Sequence, residues 1–270
     1  MSRKLPKTDW REIGGPFDVI GDVHGCADEL IELLGHLGYG VSFKDDCTRV
    51  STSAPRGRRA FLVGDLVDRG PRSLDVVRIV MHMVGQGQAL MVIGNHDNRF
   101  MRFLQCHDVK LTHGLAETVE EFSRASEDFR ACTRSFFEAL PSHTWLDGGQ
   151  LSIAHAGVSE NMLGGTSDAI YKFGLYGETS GQLDENGLPE RYNWSAHYSG
   201  KTTVIYGHTP VAEPEWLNNT LCIDTGCVYG GKLTALRWPE TEIVSVPAHA
   251  RYAERKRPFG LPPARPERAP

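Results

Sequence analysis

No apolar run in the chain approaches the roughly 20 residues that a bilayer-spanning helix needs, and none of the six cysteines forms a Cys-x-x-Cys pair. The first absence excludes a helical membrane span. The second leaves Cys26, Cys47, Cys106, Cys132, Cys222 and Cys227 scattered over 270 residues, which argues for reduced thiols in the cytoplasm and against a disulfide framework. The start, Met1 to Pro6, is basic, but no apolar stretch follows it, so it does not read as a secretory signal. Internal repeats are missing too, and no linker interrupts the body, so one domain with ample length for a core is expected.

Positive charge is scarce except at one end. The net charge is −5, yet residues 251–270 hold six basic residues against Glu254 and Glu267, a local +4 that leaves −9 on the rest. A body so acidic can bind an anionic substrate only at a local positive focus, which divalent cations can supply. Residues 249–270 read as a Pro/Arg-rich tail, expected to be disordered and available for contact with nucleic-acid phosphates.

What the chain does have is polar chemistry placed at strand ends. The apolar runs 17–20, 60–63, 89–93, 151–154 and 203–206 read as strands, and each is followed by metal-binding side chains: Asp22-Val23-His24, Gly64-Asp65 with Asp68-Arg69-Gly70, Gly94-Asn95-His96-Asp97, His155 and His208. Leucines at helical spacing over 28–37 and an amphipathic 73–84 complete a β-α-β-α-β order, which implies a parallel sheet with right-handed crossovers. Open sheets of this kind place their sites at the carboxyl ends of the strands. Asp22 and His24, two apart, project to one face and can reach one ion. Mixed carboxylate, amide and imidazole donors suit Mn²⁺, Fe²⁺, Zn²⁺ or Ni²⁺ better than Mg²⁺ or Ca²⁺. Residues 115–140 read as a charged helical insertion and 174–192 as a polar, turn-rich loop over the site. His36, His82, His107, His197 and His249 read as ordinary core or surface histidines. Gly200-Lys201-Thr202 imitates the end of a phosphate-binding loop, but a strand follows it instead of a helix.

These motifs resemble the calcineurin-like metallophosphoesterases of the serine/threonine protein phosphatase branch. The stretches LTHGLAETVEEF, LYGETSG and VIYGHTPVAEPEW look most like the phosphatase module of bacterial polynucleotide kinase-phosphatases. The resemblance implies an α+β (α/β/β/α) fold, a sandwich of two mixed sheets flanked by helices. It places an N-terminal extension at 1–16, the catalytic domain at 17–248 and a helical insertion at about 105–142. It also implies a dinuclear centre, with Mn²⁺ first among the metals. Asp22 and His24 would hold one ion, Asp65 would bridge both, and Asn95, His155 and His208 would hold the other. His96 would be the general acid, Asp68 its orienting partner and Arg69 the phosphate grip. Asp224 would be a further active-site carboxylate, partnering a ligand histidine.

The reaction expected is metal-dependent hydrolysis of phosphate esters. Phosphorylated RNA or nucleotide ends, including 2′,3′-cyclic ones, rank first as substrates, dinucleoside polyphosphates such as diadenosine tetraphosphate second, and phosphoproteins third. Arg191 is either a second phosphate-binding arginine or surface charge. Tyr171, Phe173, Tyr176, Tyr192 and Trp194 are either base-stacking platforms or packing residues.

Overall fold

The computed structural model describes residues 5–44, 49–185 and 187–265. β1 (Phe17–Ile20) turns into α1 (Ala27–His36), whose Leu30, Leu33 and Leu34 are buried. A hairpin of β2 (Gly40–Lys44) and β3 (Arg49–Ser53) precedes β4 (Arg59–Leu62), α2 (Ser73–Gly85), β5 (Ala89–Met91) and α3 (Asn95–Leu104). The insertion folds as α4 (Leu115–Ser123) and α5 (Glu127–Glu138), the second capped by Ser126, whose hydroxyl accepts from Phe129 N at 3.2 Å. The second half contains β6 (His143–Leu146), β7 (Leu151–Ala154), α6 (Asp168–Tyr176), a hairpin of β8 (Glu178–Leu183) and β9 (Pro189–Tyr192), then β10 (Thr203–Tyr206), β11 (Trp216–Leu217), β12 (Thr220–Cys222), β13 (Lys232–Trp238) and β14 (Glu242–Pro247).

Two five-stranded mixed sheets result, in the orders β14-β13-β1-β4-β5 and β11-β12-β10-β7-β6. The strands that lead to the motifs are parallel within each sheet: β1, β4 and β5 in the first, β7, β10 and β12 in the second. The period of two explains how these short runs build three apolar layers. Phe17, Phe61, Ile153, Ile205 and Leu221 fill the space between the sheets. Ile20, Ala60 and Leu62 face the layer of α1 and α2. Val204 and Tyr206 face Trp194, Tyr198 and Phe173 on the far side. The fold is thus the expected α+β sandwich, and no helix among the described residues is long and apolar enough to cross a membrane.

Two expectations need correction. Residues 174–192 are not a plain loop: they contain the end of α6 and the β8–β9 hairpin, which is polar on both faces and so carries no hydrophobic alternation. The tail is not disordered over its described part. Glu29, buried in α1, accepts from His249 N at 2.8 Å and from the Tyr252 hydroxyl at 2.9 Å, Arg257 Nε donates to Asp184 at 2.8 Å, and Arg265 pairs with Glu178 at 3.0 Å. Composition suggested a solvated arm because its partners are distant in sequence. Residues 266–270, with Arg268, lie outside the described residues, as does Cys47; the other five cysteines are free.

Phe61 is fully buried between the sheets and meets Phe17 edge to face at 6.1 Å. Phe61→Ala should cost about 3–5 kcal/mol, read in a denaturant titration as a lower midpoint at unchanged slope.

Candidate dinuclear metal centre

The ends of β1, β4, β5, β7 and β10 bring Asp22, His24, Asp65, Asn95, His96, His155 and His208 into one buried cluster. Asp65 is its centre. One carboxylate oxygen lies 3.5 Å from His24 Nε2 and the other 3.5 Å from His155 Nε2. Ligand-competent atoms of His24, Asp65 and His96 form one close group, and those of Asp65, His155 and His208 a second. Asp65 therefore belongs to both. His96, the expected acid, falls in the first group where Asp22 was expected. The Asp22 carboxylate instead accepts from His208 N at 3.1–3.2 Å.

The imidazoles are oriented for coordination. His24 Nδ1 and His155 Nδ1 each sit 2.9 Å from a carbonyl, Val67 O and Val63 O. A carbonyl only accepts, so those nitrogens carry the protons and each Nε2 lone pair faces the cluster. There His155 Nε2 meets Asn95 Oδ1 at 3.0 Å and His208 Nδ1 at 3.1 Å, and His208 Nε2 is buried without a hydrogen-bond partner. Two acceptors facing each other are stabilised by a cation between them. Burial pushes Asp65 up to about 7, Asp224 up to about 6 and Asp22 well above the usual carboxylate range, with Asp224 and Asp65 adding to the effect on Asp22. Burial likewise depresses His155 to about 3 and lowers His24, His96 and His208. The donors crowd negative charge and neutral imidazole into a dry site. Such a set fits divalent cations.

The backbone is bent to achieve this. His24, Asp65, Asp68, Arg69 and His208 all have left-handed φ values, between 45° and 74°, a concentration of strain typical of functional sites. Gly94 and Gly207 allow the close approach: a Cβ on the first would collide with Asp65, and one on the second with the Asp22 carboxylate.

Around the cluster, Arg69 spans both sides, donating to His24 Nε2 at 2.7 Å and to His96 Nε2 at 2.8 Å. His96 Nδ1 is 2.5 Å from Asp68 Oδ2, the geometry of an oriented acid-base dyad. Asp68 is itself fixed by Arg99 at 2.9 Å and by the Thr118 hydroxyl at 2.7 Å. Neither was foreseen, because Thr118 belongs to the insertion, 50 residues away in sequence. Asp97 was also missed as a functional support. Its carboxylate accepts from Asp65 N, Leu66 N and Gly94 N at 2.8–3.0 Å and so clamps two motif loops together; its place in Gly-Asn-His-Asp was the available signal.

Asp224 lies at the site, but it does not bond a ligand histidine as expected; it accepts from Gly226 N at 3.0 Å. Arg191 on β9 is half-buried, makes no ion pair among the described residues, and is lowered to about 10 by burial and by Arg257. Surface charge is thus the wrong description of it. Of the aromatic candidates, Trp194 is core, bonded to Ala156 O at 2.9 Å, and Phe173 packs beside it. Tyr176 lines the cleft.

Residues 15–244 match the family described as calcineurin-like phosphoesterase. The chain belongs to that family: it is a metallophosphoesterase, a hydrolase of phosphoester bonds, and the family's centre holds two divalent metal ions. It is 46% identical over 248 residues to an asymmetrical bis(5′-nucleosyl)-tetraphosphatase of Anoxybacillus flavithermus, covering 90% of this chain and 99% of that one. The Bacillus subtilis protein of the same description is 40% identical over 88% of this chain and 97% of its own length. A serine/threonine phosphatase of Saccharomyces cerevisiae shares the fold, with a TM-score of 0.60 at 14% identity over 96% of this chain and 88% of that chain. The expected tie to polynucleotide kinase-phosphatases is corrected by these relatives. Of the stretches that suggested it, LTHGLAETVEEF supplies Thr118 and VIYGHTPVAEPEW supplies His208, while LYGETSG lies in α6 and β8 and carries Tyr176 of the cleft.

Protein stripped with a chelator should melt at a lower temperature than protein with Mn²⁺, and the midpoint should climb with metal concentration as mass action requires. Asp65→Ala should lose that shift, the bound metal and turnover together. Full metal content with near-normal turnover in this variant would remove Asp65 from the centre.

Proposed function

We propose that this chain hydrolyses dinucleoside polyphosphates of the diadenosine tetraphosphate type. The observation that carries the reading is the cleft opening from the metal cluster. Its volume is about 1430 Å³, and Arg69, Arg99, Arg102, Lys110, Arg191 and Tyr176 are among its lining. That exceeds the roughly 300–1,000 Å³ of ordinary small-molecule pockets and is far more than one phosphate group fills. The relatives described as tetraphosphatases support the same reading. Phosphorylated RNA ends become the second choice, because the basic tail expected to meet nucleic acid is folded and its Arg257 and Arg265 are paired.

In this reading Asp22, His24 and Asp65 would hold one cation and Asp65, Asn95, His155 and His208 the other, with Mn²⁺ the first expectation. Bound there, the pair would supply Lewis acidity at the phosphate oxygens and hydroxide near neutral pH. Arg69 leaves its two histidines and grips the scissile phosphate through its planar fork. His96, held by Asp68, then has Nε2 free to deliver a proton to the departing oxygen. Asp224 adds negative charge beside Asp22, and Arg191 meets phosphate oxygens from the opposite wall.

A side-by-side assay with Mn²⁺ should show a higher kcat/KM for diadenosine tetraphosphate than for a 3′-phosphorylated oligonucleotide, a 2′,3′-cyclic nucleotide or a phosphopeptide. Preference for the oligonucleotide would reject the reading. A phosphoanhydride leaves as a weak base and needs little protonation. His96→Ala should therefore slow an alkyl phosphate monoester by about 10²–10⁴ and the tetraphosphate by less, with metal content retained. Equal losses would remove His96 as the acid.

A further inference from the structure

Residues 248–265 form a strap across the loops that carry the site. Tyr252 N and Ala253 N donate to Val228 O at 3.0 and 3.1 Å, Gly260 N to Pro210 O at 2.9 Å, and Asn193 N to Pro263 O at 2.8 Å. The strap thereby ties together the loop after β12, the loop after His208 and the β8–β9 hairpin that bears Arg191. It also forms part of the cleft wall.

Arg255 is the unusual residue of this strap. Its guanidinium lies over the Phe259 ring at 4.3 Å and beside the Tyr229 ring at 5.8 Å. Nη2 makes one long contact, to Pro210 O at 3.4 Å, while Nη1 is buried with no hydrogen-bond partner. Its neighbour Arg257 is neutralised by Asp184; Arg255 makes no ion pair among the described residues, and the Asp224 carboxylate acts on it only through space. Arg255 as a whole is half-buried, but its enclosed Nη1, a donor with nothing to bond, is costly unless an anion satisfies it. Arg69, which bonds the two histidines of the cluster, lies near the same ring, with its guanidinium 5.5 Å from the Tyr229 ring centre. Both guanidiniums thus border one tyrosine ring, at 5.5 and 5.8 Å from its centre, and a chain of linked phosphates offers anionic groups to both where a monoester offers one.

We propose that Arg255 binds the phosphates of a polyphosphate chain that lie beyond the one being cleaved, so that the strap selects chain-linked phosphates over monoesters. The ligand class is a linear polyphosphate, bridging or free, with at least three linked phosphates. This rests on the polyphosphate reading of the site for its physiological meaning, but not for its test. A monoester satisfies Arg69 and leaves Arg255 empty-handed; a longer chain satisfies both.

Arg255→Gln keeps the first part of the aliphatic stem and a polar end while removing the charge. With Mn²⁺ saturating, its loss in kcat/KM on diadenosine tetraphosphate should exceed its loss on a small aryl phosphate by about tenfold to a hundredfold, the size of a hydrogen bond to a charged group. Inorganic tripolyphosphate, tested as an inhibitor of the aryl phosphatase reaction, should weaken by a similar factor in the variant. Equal losses on the two substrates with unchanged tripolyphosphate inhibition would overturn the proposal and leave the strap a packing element. If the wild type ignores the dinucleotide, the substrate reading fails, and the tripolyphosphate comparison alone decides whether Arg255 meets polyphosphate. Arg255→Lys provides the control for folding: it restores the charge and should recover part of the inhibition.

Discussion

The carboxylate of Asp65 stands between two histidines contributed by different sheets, and the rest of the site is arranged to hold it there. His24 reaches it from the end of β1 and His155 from the end of β7, each at 3.5 Å. The carboxylate is buried, and burial alone drives it toward protonation. Keeping it ionised requires positive charge, and the neutral imidazoles around it offer lone pairs instead of charge. The donor set therefore fits divalent cations, which would offset the carboxylate's charge. Asp97 holds the Asp65 and Leu66 backbone against Gly94 through three hydrogen bonds, and left-handed backbone at His24, Asp65 and His208 turns short side chains inward. Folding stability elsewhere, in the packed layers of the sandwich, sustains that local strain.

This constraint explains why the surrounding elements are parts of the site. The helical insertion does more than cap the domain: Thr118 of α4 and Arg99 of α3 both hold Asp68, which in turn orients His96. The C-terminal strap does the corresponding work on the opposite side, binding the loops after β10 and β12 to the β8–β9 hairpin. Its anchor is Glu29, whose carboxylate takes His249 N and the Tyr252 hydroxyl. Between these two elements the cleft runs out from the metal-binding cluster, its walls carrying basic side chains such as Arg69, Arg99 and Arg191 interleaved with acidic ones such as Asp108 and Glu121.

The strands and the residues at their ends were readable because both signals are local. The run 203–206 followed by His208, and 17–20 followed by Asp22 and His24, combine an apolar period with a metal donor within a few residues. What could not be read was long-range or polar. Hairpin β8–β9 has no buried face, so nothing in its pattern distinguishes strand from loop. Thr118 and Arg255 matter through partners that only the fold brings close, and the strap looks disordered by composition because its stabilising contacts are with Glu29, Asp184 and Glu178. The relatives are described as tetraphosphatases and so favour the second-ranked substrate over the first; the strongest motifs encode the metal centre, while the segments that line the rest of the cleft are weakly patterned.

The central claim is that Asp65 bridges two cations, and the most direct measurement is anomalous diffraction from crystals of the Mn²⁺-loaded protein. Two peaks should flank the Asp65 carboxylate, one toward His24 and Asp22 and the other toward Asn95, His155 and His208, with the Arg69 guanidinium moved off His24 Nε2. A single peak, or peaks that leave Asp65 uncoordinated, would contradict the account.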